Sequence, residues 1–420
     1  MLPPGLPFVL RHLVINLLPP ATILATAHVL RTYGDVDIST LLVALVAIAS
    51  IPAVYAARVA YMKRSIRRRA ANMGAVLPPR WDGKSFGNVD ILRHSIKQFF
   101  KGYPGLTTYS PPPFPKTILA TDFQTFEKGE AFRDTMNTVL GVGVFNADGD
   151  LWKFHRSMTR PYFSRDRISH FEMFDRHADL ALKKMKERFR GGHALDFQDL
   201  ISRFTMDSAT EFLFGSCVHS LKSDLPYAYN DPIVPRIAQR ENAADRFSAA
   251  FASAQHLISM RSRTGWTWRL KELFHDATKE HMTVVNKYLQ PILEEAIRKN
   301  RHSIGKGEKV QHDESDENET LLDHLVKYTD DATVLHDETL NIMIAGRDTT
   351  AATLTFAVYL LCMYPDVFRR LRAEVMERIG PTQMPTFDDI KSMKYLRAVI
   401  NGLSTFDPTK PPVFVPAEVG

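Results

Sequence analysis

A proline-free segment is the feature that most constrains what this chain can fold into. It runs from Asp331 to Tyr364, and Pro365 ends it. At 1.5 Å per residue, such a segment predicts a helix about 50 Å long, which is the width of a whole domain. Its second half, residues 351–363, is apolar on every helical face, so we expect it to be buried on all sides. The sequence therefore predicts a mainly α-helical fold built around one long central helix.

A polar cluster interrupts the middle of this helix. It consists of Ala345, Gly346, Arg347, Asp348, Thr349 and Thr350. A glycine inside a helix costs about 1 kcal/mol relative to alanine, and an unpaired buried carboxylate costs more. We interpret the cluster as a site with a chemical role. The alternative is a kinked core helix in which Thr349 bonds to the Ala345 carbonyl and Asp348 pairs with a surface cation.

A second candidate site is formed by Trp152 and Arg156, which are four positions apart. On a helix, this spacing places both side chains on one face. An indole N–H and a guanidinium are two donors suited to a carboxylate. A cation–π contact between the two side chains has the same spacing, so the pair by itself fits packing as well as binding.

Both motifs, with the flanking segments 140–145 and 160–163, resemble the cytochrome P-450 family of haem-thiolate monooxygenases. The likeness covers residues 90–401 and is closest to fungal membrane-bound enzymes that hydroxylate alkanes and fatty acids. It implies the cytochrome P-450 fold, with Trp152 and Arg156 holding a haem propionate.

The resemblance also assigns roles to the polar cluster of the central helix. It implies that Ala345 and Gly346 lie beside the haem, where Gly346 opens a groove for dioxygen. Thr349 and Asp348 would deliver the protons that split the O–O bond. The implied reaction inserts one oxygen atom into a C–H bond of a lipophilic substrate. The implied cofactor is haem, with electrons from NADPH through a flavoprotein reductase.

The sequence departs from the family pattern near its C-terminal end. After Asn401 the family has a Glu and then an Arg, whereas this chain has Gly402 and Thr405. The only cysteines, Cys217 and Cys362, lie outside the loop that supplies the axial thiolate in the family. We therefore expect a C-terminally truncated chain without the haem-cysteine loop and the C-terminal β-region, from a splice variant or faulty gene model. The alternative function is an inactive, membrane-tethered helical protein that cannot hold haem.

Two uncharged segments near the N terminus predict membrane association. They are residues 13–30 and Ile38–Ala57, and the second has the length of about 20 residues needed to cross a bilayer. The first is a second span, joined to the other by a hairpin at residues 31–37, or an interfacial helix. The alternative for Ile38–Ala57 is a buried core helix. A basic cluster that marks the cytosolic side follows the second segment: Arg58, Lys63, Arg64, Arg67, Arg68 and Arg69.

The charge and the cysteine content of the chain narrow the possible binding partners and the possible cellular compartments. The formal charge of +6 and the basic cluster suit either anionic lipid or nucleic acid. The adjoining apolar span favours lipid, so we expect no nucleic-acid partner. Two cysteines disfavour a secreted disulfide fold. We expect an endoplasmic reticulum protein with an anchor (1–76), a truncated catalytic domain facing the cytosol (77–401) and a tail outside the family pattern (402–420).

Apolar residues at three- and four-residue spacing predict further helices. We expect helices over Asp166–Arg190, Asp196–Gly215 and His281–Lys299, with Asp196 as N-cap and Gly215 as the C-terminal stop of the second. The charged run from residue 299 to residue 320 predicts a surface loop. A further helix is expected to begin with residues 395–401.

Overall fold

The computed structural model describes residues 3–34, 36–72, 84–85, 90, 93–94, 117–163, 172–228, 230–231, 242–305 and 319–404. Within these ranges the regular elements are helical and there is no strand, which confirms the predicted mainly α-helical class. In chain order, the α-helices are α1 Gly5–Tyr33, α2 Thr40–Asn72, α3 Glu130–Leu140, α4 Gly149–Thr159, α5 Glu172–Arg190, α6 Phe197–Phe214, α7 Ala243–Thr264, α8 Trp268–Lys271, α9 Lys279–Gly305, α10 Leu321–Leu325, α11 Ala332–Met363, α12 Pro365–Arg378, α13 Phe387–Ser392 and α14 Lys394–Ser404. Single π or 3₁₀ turns cover Thr117–Thr121, Phe123–Thr125, Arg160–Phe163, Ser220–Lys222 and Gly265–Thr267.

The chain divides into two compact units. The first comprises residues 1–127 and 266–276, and the second comprises residues 128–265 and 277–420. The first unit contains α1, α2 and α8, and the second contains the remaining helices.

In the first unit, α1 and α2 pack against each other as a helical hairpin. Small and branched side chains meet between them, namely Ala27, Val43 and Ala47, while Leu41 and Ile48 point outward with 71% and 68% of their surface exposed. Each of the two helices is long and apolar enough to cross a membrane. Helices α11 and α12 satisfy the same length and composition test only as a pair bent by 112°. Both predicted apolar segments are thus helical. The basic cluster lies in the C-terminal half of α2, which ends at Asn72.

In the second unit, the core lies where α11 packs along α6, with α7 and α9 alongside. The central side chains of this core are less than 2% exposed, because four helices bury their apolar faces against one another. They include Met206 on α6, Phe247 and Phe251 on α7, Val285 and Leu289 on α9, and Leu335, Leu340 and Met343 on α11. The long central helix predicted from the sequence is confirmed, with Asp331 as its N-cap.

The predicted ends of α6 are also confirmed. The side chain of Asp196 accepts a hydrogen bond from the backbone N–H of Asp199 at 3.0 Å. Gly215 ends the helix in the left-handed conformation, with φ of +66°. Helix α5 begins at Glu172, and the predicted start at residues 166–171 lies outside the described residues.

Two predicted boundaries are wrong. Helix α9 continues to Gly305, through residues that we expected in a loop. Asn300 explains part of the difference, because its side-chain amide donates to the Val326 carbonyl at 2.6 Å and so ties this turn to the molecule. Helix α14 likewise runs to Ser404, into the segment assigned to the tail, whereas residues 306–318 and 405–420 lie outside the described part of the chain.

The expectation that residues 351–363 are buried on all sides is wrong as well. Phe356, Tyr359 and Met363 are 60%, 56% and 54% exposed. Burial needs a partner element for each face of a helix, and the described partners of α11 leave these three side chains uncovered. Apolar composition therefore predicted the capacity for burial, while the packing partners decided how much of the surface is covered.

Candidate active site

Ala345 and Thr349 of the polar cluster lie on one face of α11, and Thr353 lies on the same face one turn later. The Thr349 hydroxyl donates to the Ala345 carbonyl at 2.6 Å, and the Thr353 hydroxyl donates to the Thr349 carbonyl at 2.8 Å. Such bonds satisfy a hydroxyl within a helix and leave its oxygen lone pairs able to accept another donor. Both threonines are exposed, so this face is open along two helical turns.

Gly346 is exposed next to this face. A Cβ atom added there would meet only the Cβ of Ala209 on α6, at an ordinary contact distance of 3.7 Å. The described neighbours therefore leave room for a small side chain at Gly346, and the role expected from the family resemblance stays a prediction.

Asp348 and Arg347 point away from the open face. Arg347 is 7% exposed; its Nε lies 3.5 Å from an Asp348 carboxylate oxygen, and its guanidinium lies 5.4 Å from the centre of the Phe251 ring. Burial raises the pKa of Asp348, and the opposing effects of Arg347 and of a hydrogen bond with Gln255 are smaller. The carboxyl group is thus held closer to the protonated state than an ordinary aspartate.

Trp152 and Arg156 lie on α4, with Trp152 half-buried and Arg156 exposed. Between them is His155, which is fully buried and places Nδ1 2.8 Å from Oε2 of Glu338 on α11. Glu338 precedes Ala345 by seven residues, or about 10 Å along the helix. The two predicted groups are thus on different helices, and this buried pair anchors one helix to the other.

The segment that precedes α4 is also bound to α11. Backbone N–H groups of Val142, Val144 and Phe145 donate to side chains of α11 at 2.8–2.9 Å, and the acceptors are Asp337, Glu338 and Asn341 in that order. The Asn341 amide in turn donates to the Leu140 carbonyl at 2.8 Å. A loop without regular structure thereby gains partners for its buried backbone groups.

Two glycines make this approach possible. A Cβ atom on Gly141 would lie 1.9 Å from an Asp337 carboxylate oxygen, and one on Gly143 would lie 2.3 Å from the Asn341 amide nitrogen. Gly141 also has a φ of +51°, which L side chains rarely adopt. Both positions therefore require glycine while the loop remains docked on α11.

The sequence reasoning missed the residues that hold this arrangement together. The sequence motifs assign no role to His155, or to three polar residues in the first half of α11: Asp337, Glu338 and Asn341. A signal was present, because these three positions fall on one face of a helix whose other residues are largely apolar. Buried polar residues of this kind need partners, but the sequence does not say which ones.

A cavity of about 290 Å³ lies near the cluster, between α3, α7 and α11. Its walls are mainly apolar and include Phe145 and Ile344, the residue just before Ala345. The other lining residues are Met136, Leu140, Gln255, Ile258, Ser259, Ser262 and Arg263. The apolar part of this lining suits an apolar group.

The residues present fit part of a haem site. Trp152 and Arg156 carry N–H donors of the kind that a propionate requires, and the open face of α11 carries a hydroxyl, but neither cysteine suits the axial position. Cys362 is exposed and follows Thr349 by 13 residues, or about 20 Å along α11. Cys217 follows α6 and lies within 4.8 Å of ligand atoms of His177 and Glu211, neither of which belongs to the candidate haem residues.

Comparison with known proteins places these motifs in a family. A family model described as "Cytochrome P450" matches residues 95–402. The chain is 33% identical over 316 residues to "Cytochrome P450 52E1" of Candida apicola, covering 75% of this chain and 57% of that protein. It is 35% identical over 335 residues to "Cytochrome P450 52A3-A" of Candida maltosa, covering 74% and 59%.

A third relative is "Cytochrome P450 52-E3" of Starmerella bombicola, 30% identical over 369 residues, covering 82% of this chain and 67% of that protein. The chain thus spans between just over half and two thirds of the length of these fungal relatives. The predicted likeness to the fungal branch is confirmed. Since the family match includes both α4 and the polar cluster of α11, the chain belongs to the cytochrome P450 family.

Proposed function

We propose that the protein to which these residues belong is a haem-dependent monooxygenase, which inserts one oxygen atom from O₂ into a C–H bond of a lipophilic substrate. The observation that carries this proposal is the open face of α11 with Ala345 and Thr349, joined through the buried pair of His155 and Glu338 to the helix that presents Arg156. Family membership supports the reaction class.

Each predicted residue has a role that its position allows. Trp152 and Arg156 hold a propionate by hydrogen bonds from the indole and the guanidinium. Haem, when bound, supplies the activation of dioxygen. The hydroxyl of Thr349 accepts and passes on a proton at the open face, and Asp348 exchanges protons with water because its pKa is raised.

The substrate class rests on the cavity beside Ile344. Its apolar walls favour an alkyl chain, and Ile344 in these walls directly precedes Ala345 in the sequence. We infer that a fatty acid or an alkane is the substrate. Such molecules partition into bilayers, so a membrane anchor places the enzyme where they are concentrated.

The membrane arrangement follows from α1 and α2. We propose that these helices hold the protein in the endoplasmic reticulum membrane, with the basic cluster on the cytosolic side. The domain would then face the cytosol, where NADPH and a flavoprotein reductase supply electrons. A nucleic acid is not among the proposed partners, because the basic cluster continues an apolar helix.

A second candidate function is favoured by the placement of the two cysteines. If neither Cys217 nor Cys362 ligates iron, the chain of 420 residues is a membrane-tethered helical protein without haem. The motifs of α4 and α11 would then be inherited from an ancestral enzyme and have no catalytic role in this chain. The two candidates differ in one property that can be measured directly, which is haem bound to the folded chain.

The test is to produce the protein to which these residues belong in yeast membranes, together with an NADPH-dependent reductase. The monooxygenase proposal expects bound haem, a carbon monoxide spectrum of the thiolate type and hydroxylated products from a fatty acid or an alkane, identified by mass spectrometry. A folded, membrane-bound chain that contains no haem would contradict that proposal and support the second candidate.

Paired variants sharpen the test. Thr349→Ala removes the proposed proton relay, and Thr353→Ala removes a hydroxyl with the same type of hydrogen bond one turn later. We expect Thr349→Ala to raise the NADPH consumed per product by about tenfold or more, because a positioned proton-transfer group contributes about 10²–10⁴-fold to a rate, while Thr353→Ala stays near wild type. Equal effects of both variants would remove Thr349 from its proposed role.

A further inference from the structure

A cluster of three different metal-binding groups lies in the second unit, where α5 packs against the end of α6. The residues are His177 on α5, Glu211 in the last turn of α6, and Cys217 just after α6. One ligand atom of each lies within 4.8 Å of the other two. His177 is buried, and Glu211 and Cys217 are half-buried.

The local fold brings Cys217 back to the end of α6. Gly215 terminates α6 with φ of +66°, and this left-handed residue turns the chain so that it reverses over the last helical turn. The Cys217 sulfur then accepts a hydrogen bond from the His219 N–H at 3.2 Å. The backbone thus holds the sulfur in place without using the side chains of His177 and Glu211.

The other two groups already share one polar contact. Nε2 of His177 lies 2.7 Å from Oε2 of Glu211, while Arg176 bonds to the other carboxylate oxygen, Oε1. A cation inserted between Nε2 and Oε2 would replace the proton that they share. The contact of Arg176 with Oε1 need not break, and it would orient the carboxylate as an outer partner.

The charge around Cys217 also suits a cation. Burial raises the pKa of the Cys217 thiol, and the negative charges of Asp207 and Glu211 raise it further. The Asp207 carboxylate accepts hydrogen bonds from the backbone N–H groups of Ser220 and Leu221 at 2.6 and 2.9 Å. Lys222 opposes the effect of the two acidic groups on the thiol, and Arg176 bonds to Glu211. A bound divalent ion would compensate the acidic groups.

We propose that His177, Glu211 and Cys217 form a binding site for a divalent cation of the zinc class. Imidazole nitrogen, carboxylate oxygen and thiolate sulfur are the three ligand types found in zinc sites, and sulfur disfavours magnesium and calcium. Three protein ligands leave a fourth tetrahedral position for water. The thiol proton must leave on binding, because the thiolate is the ligand. This site is separate from the residues of the proposed haem site.

The competing explanation is a structural role, in which Arg176, His177 and Glu211 merely tie α5 to α6. That explanation gives the Cys217 side chain no role, so a test of metal binding by the sulfur distinguishes a metal site from a structural contact. The test uses the full chain in detergent and Co²⁺ alone as a spectroscopic probe of thiolate ligation. We expect one equivalent of Co²⁺ to bind with a thiolate-to-metal charge-transfer band, and Zn²⁺ to abolish that band by competition.

Variants and a chemical readout make the test decisive. Cys217→Ser should remove the band and His177→Gln should weaken Co²⁺ binding by at least about tenfold, whereas Cys362→Ser should leave both unchanged. A band that survives in Cys217→Ser, or no cobalt bound to the folded wild-type chain, would overturn the proposal.

The wild-type chain offers an independent check that requires no variant to fold. Zn²⁺ should slow alkylation of Cys217 by about tenfold or more while Cys362 reacts at an unchanged rate, as followed by mass spectrometry of the two peptides. Equal alkylation of Cys217 with and without Zn²⁺ would contradict the site. Since neither assay depends on haem, failure here leaves the proposed monooxygenase function untouched.

Discussion

At the scale of single residues, Glu338 does the most to hold the candidate active site together. It is fully buried, accepts the Val144 N–H at 2.9 Å and faces His155 at 2.8 Å. It therefore connects both the loop before α4 and α4 itself to α11. Asp337 and Asn341 bind the same loop on either side.

We expect Glu338→Ala to lower the free energy of unfolding by about 3–5 kcal/mol, because it removes the acceptor of the buried Val144 N–H and the carboxylate paired with the buried His155 imidazole. The matched control is Asp150→Ala, which removes a carboxylate from a fully exposed ion pair with Lys153 and should leave the free energy of unfolding nearly unchanged. Denaturant unfolding followed by circular dichroism measures both. Similar losses in the two variants would mean that Glu338 does not anchor α4.

Asp348 should make the stability of the protein depend on pH. Burial raises the pKa of Asp348 in the folded state, so ionisation of Asp348 opposes folding. This cost is absent below the unfolded pKa, grows as pH rises from the unfolded pKa to the folded pKa, and is constant above it. The melting temperature of Asp348→Asn, relative to wild type, should therefore become more positive from acid to neutral pH. Asp348→Asn also loses the ion pair with Arg347, which lowers the gain in melting temperature. The difference in melting temperature still becomes more positive as pH rises.

The control for this experiment is Asp366→Asn, at a side chain that is 92% exposed on α12. Its difference in melting temperature from wild type should vary little over the same pH range. A difference for Asp348→Asn that shrinks towards neutral pH would show that the carboxylate is stabilised rather than opposed by its surroundings.

At the scale of elements, α11 is the helix that the sequence predicted best and whose environment it predicted worst. The proline-free run and Asp331 predicted both ends to within a residue. These are local properties, since caps and helix breakers act on their own backbone. Exposure of Phe356 and Tyr359 was not predictable in that way, because it depends on which helices pack beside α11.

The N-cap of α11 can be tested directly. The Asp331 side chain accepts the N–H groups of Thr333 and Val334 at 2.8 and 3.3 Å. Asp331→Ala should destabilise the protein by about 1 kcal/mol, while Asp331→Asn, which keeps an acceptor, should cost only a fraction of that. Thermal unfolding of both variants decides the matter. Equal losses would assign the effect to the charge of Asp331 instead of its hydrogen bonds.

At the scale of the whole molecule, the chain combines an apolar helical hairpin with a helical unit that has its own core. The hairpin exposes leucine and isoleucine side chains outward, as a lipid environment requires. The second unit buries polar groups with partners, as an aqueous domain requires. This contrast supports a membrane-anchored domain, and the orientation of that domain can be measured.

We expect the wild-type chain to resist alkaline extraction from microsomes, with a C-terminal tag accessible to protease from outside. Replacing Arg64, Arg67, Arg68 and Arg69 with glutamine should place the tag in the lumen in part of the molecules, because positive charge sets the orientation of a membrane helix. Replacement of the same residues with lysine keeps the charge and should leave the tag accessible. Protection of the tag in the lysine variant would exclude charge as the cause.

The sequence by itself determined the helical class, the ends of α6 and α11, the two apolar segments and the family, because each depends on local spacing, capping or motif identity. It also predicted Trp152, Arg156 and the α11 cluster as candidate residues. Tertiary structure alone decided which side chains meet: the contact of His155 with Glu338, the loop bound to Asn341 and the grouping of His177 with Cys217. Such contacts join residues distant in sequence, so no local pattern encodes them, and they form only when helices pack in one particular way.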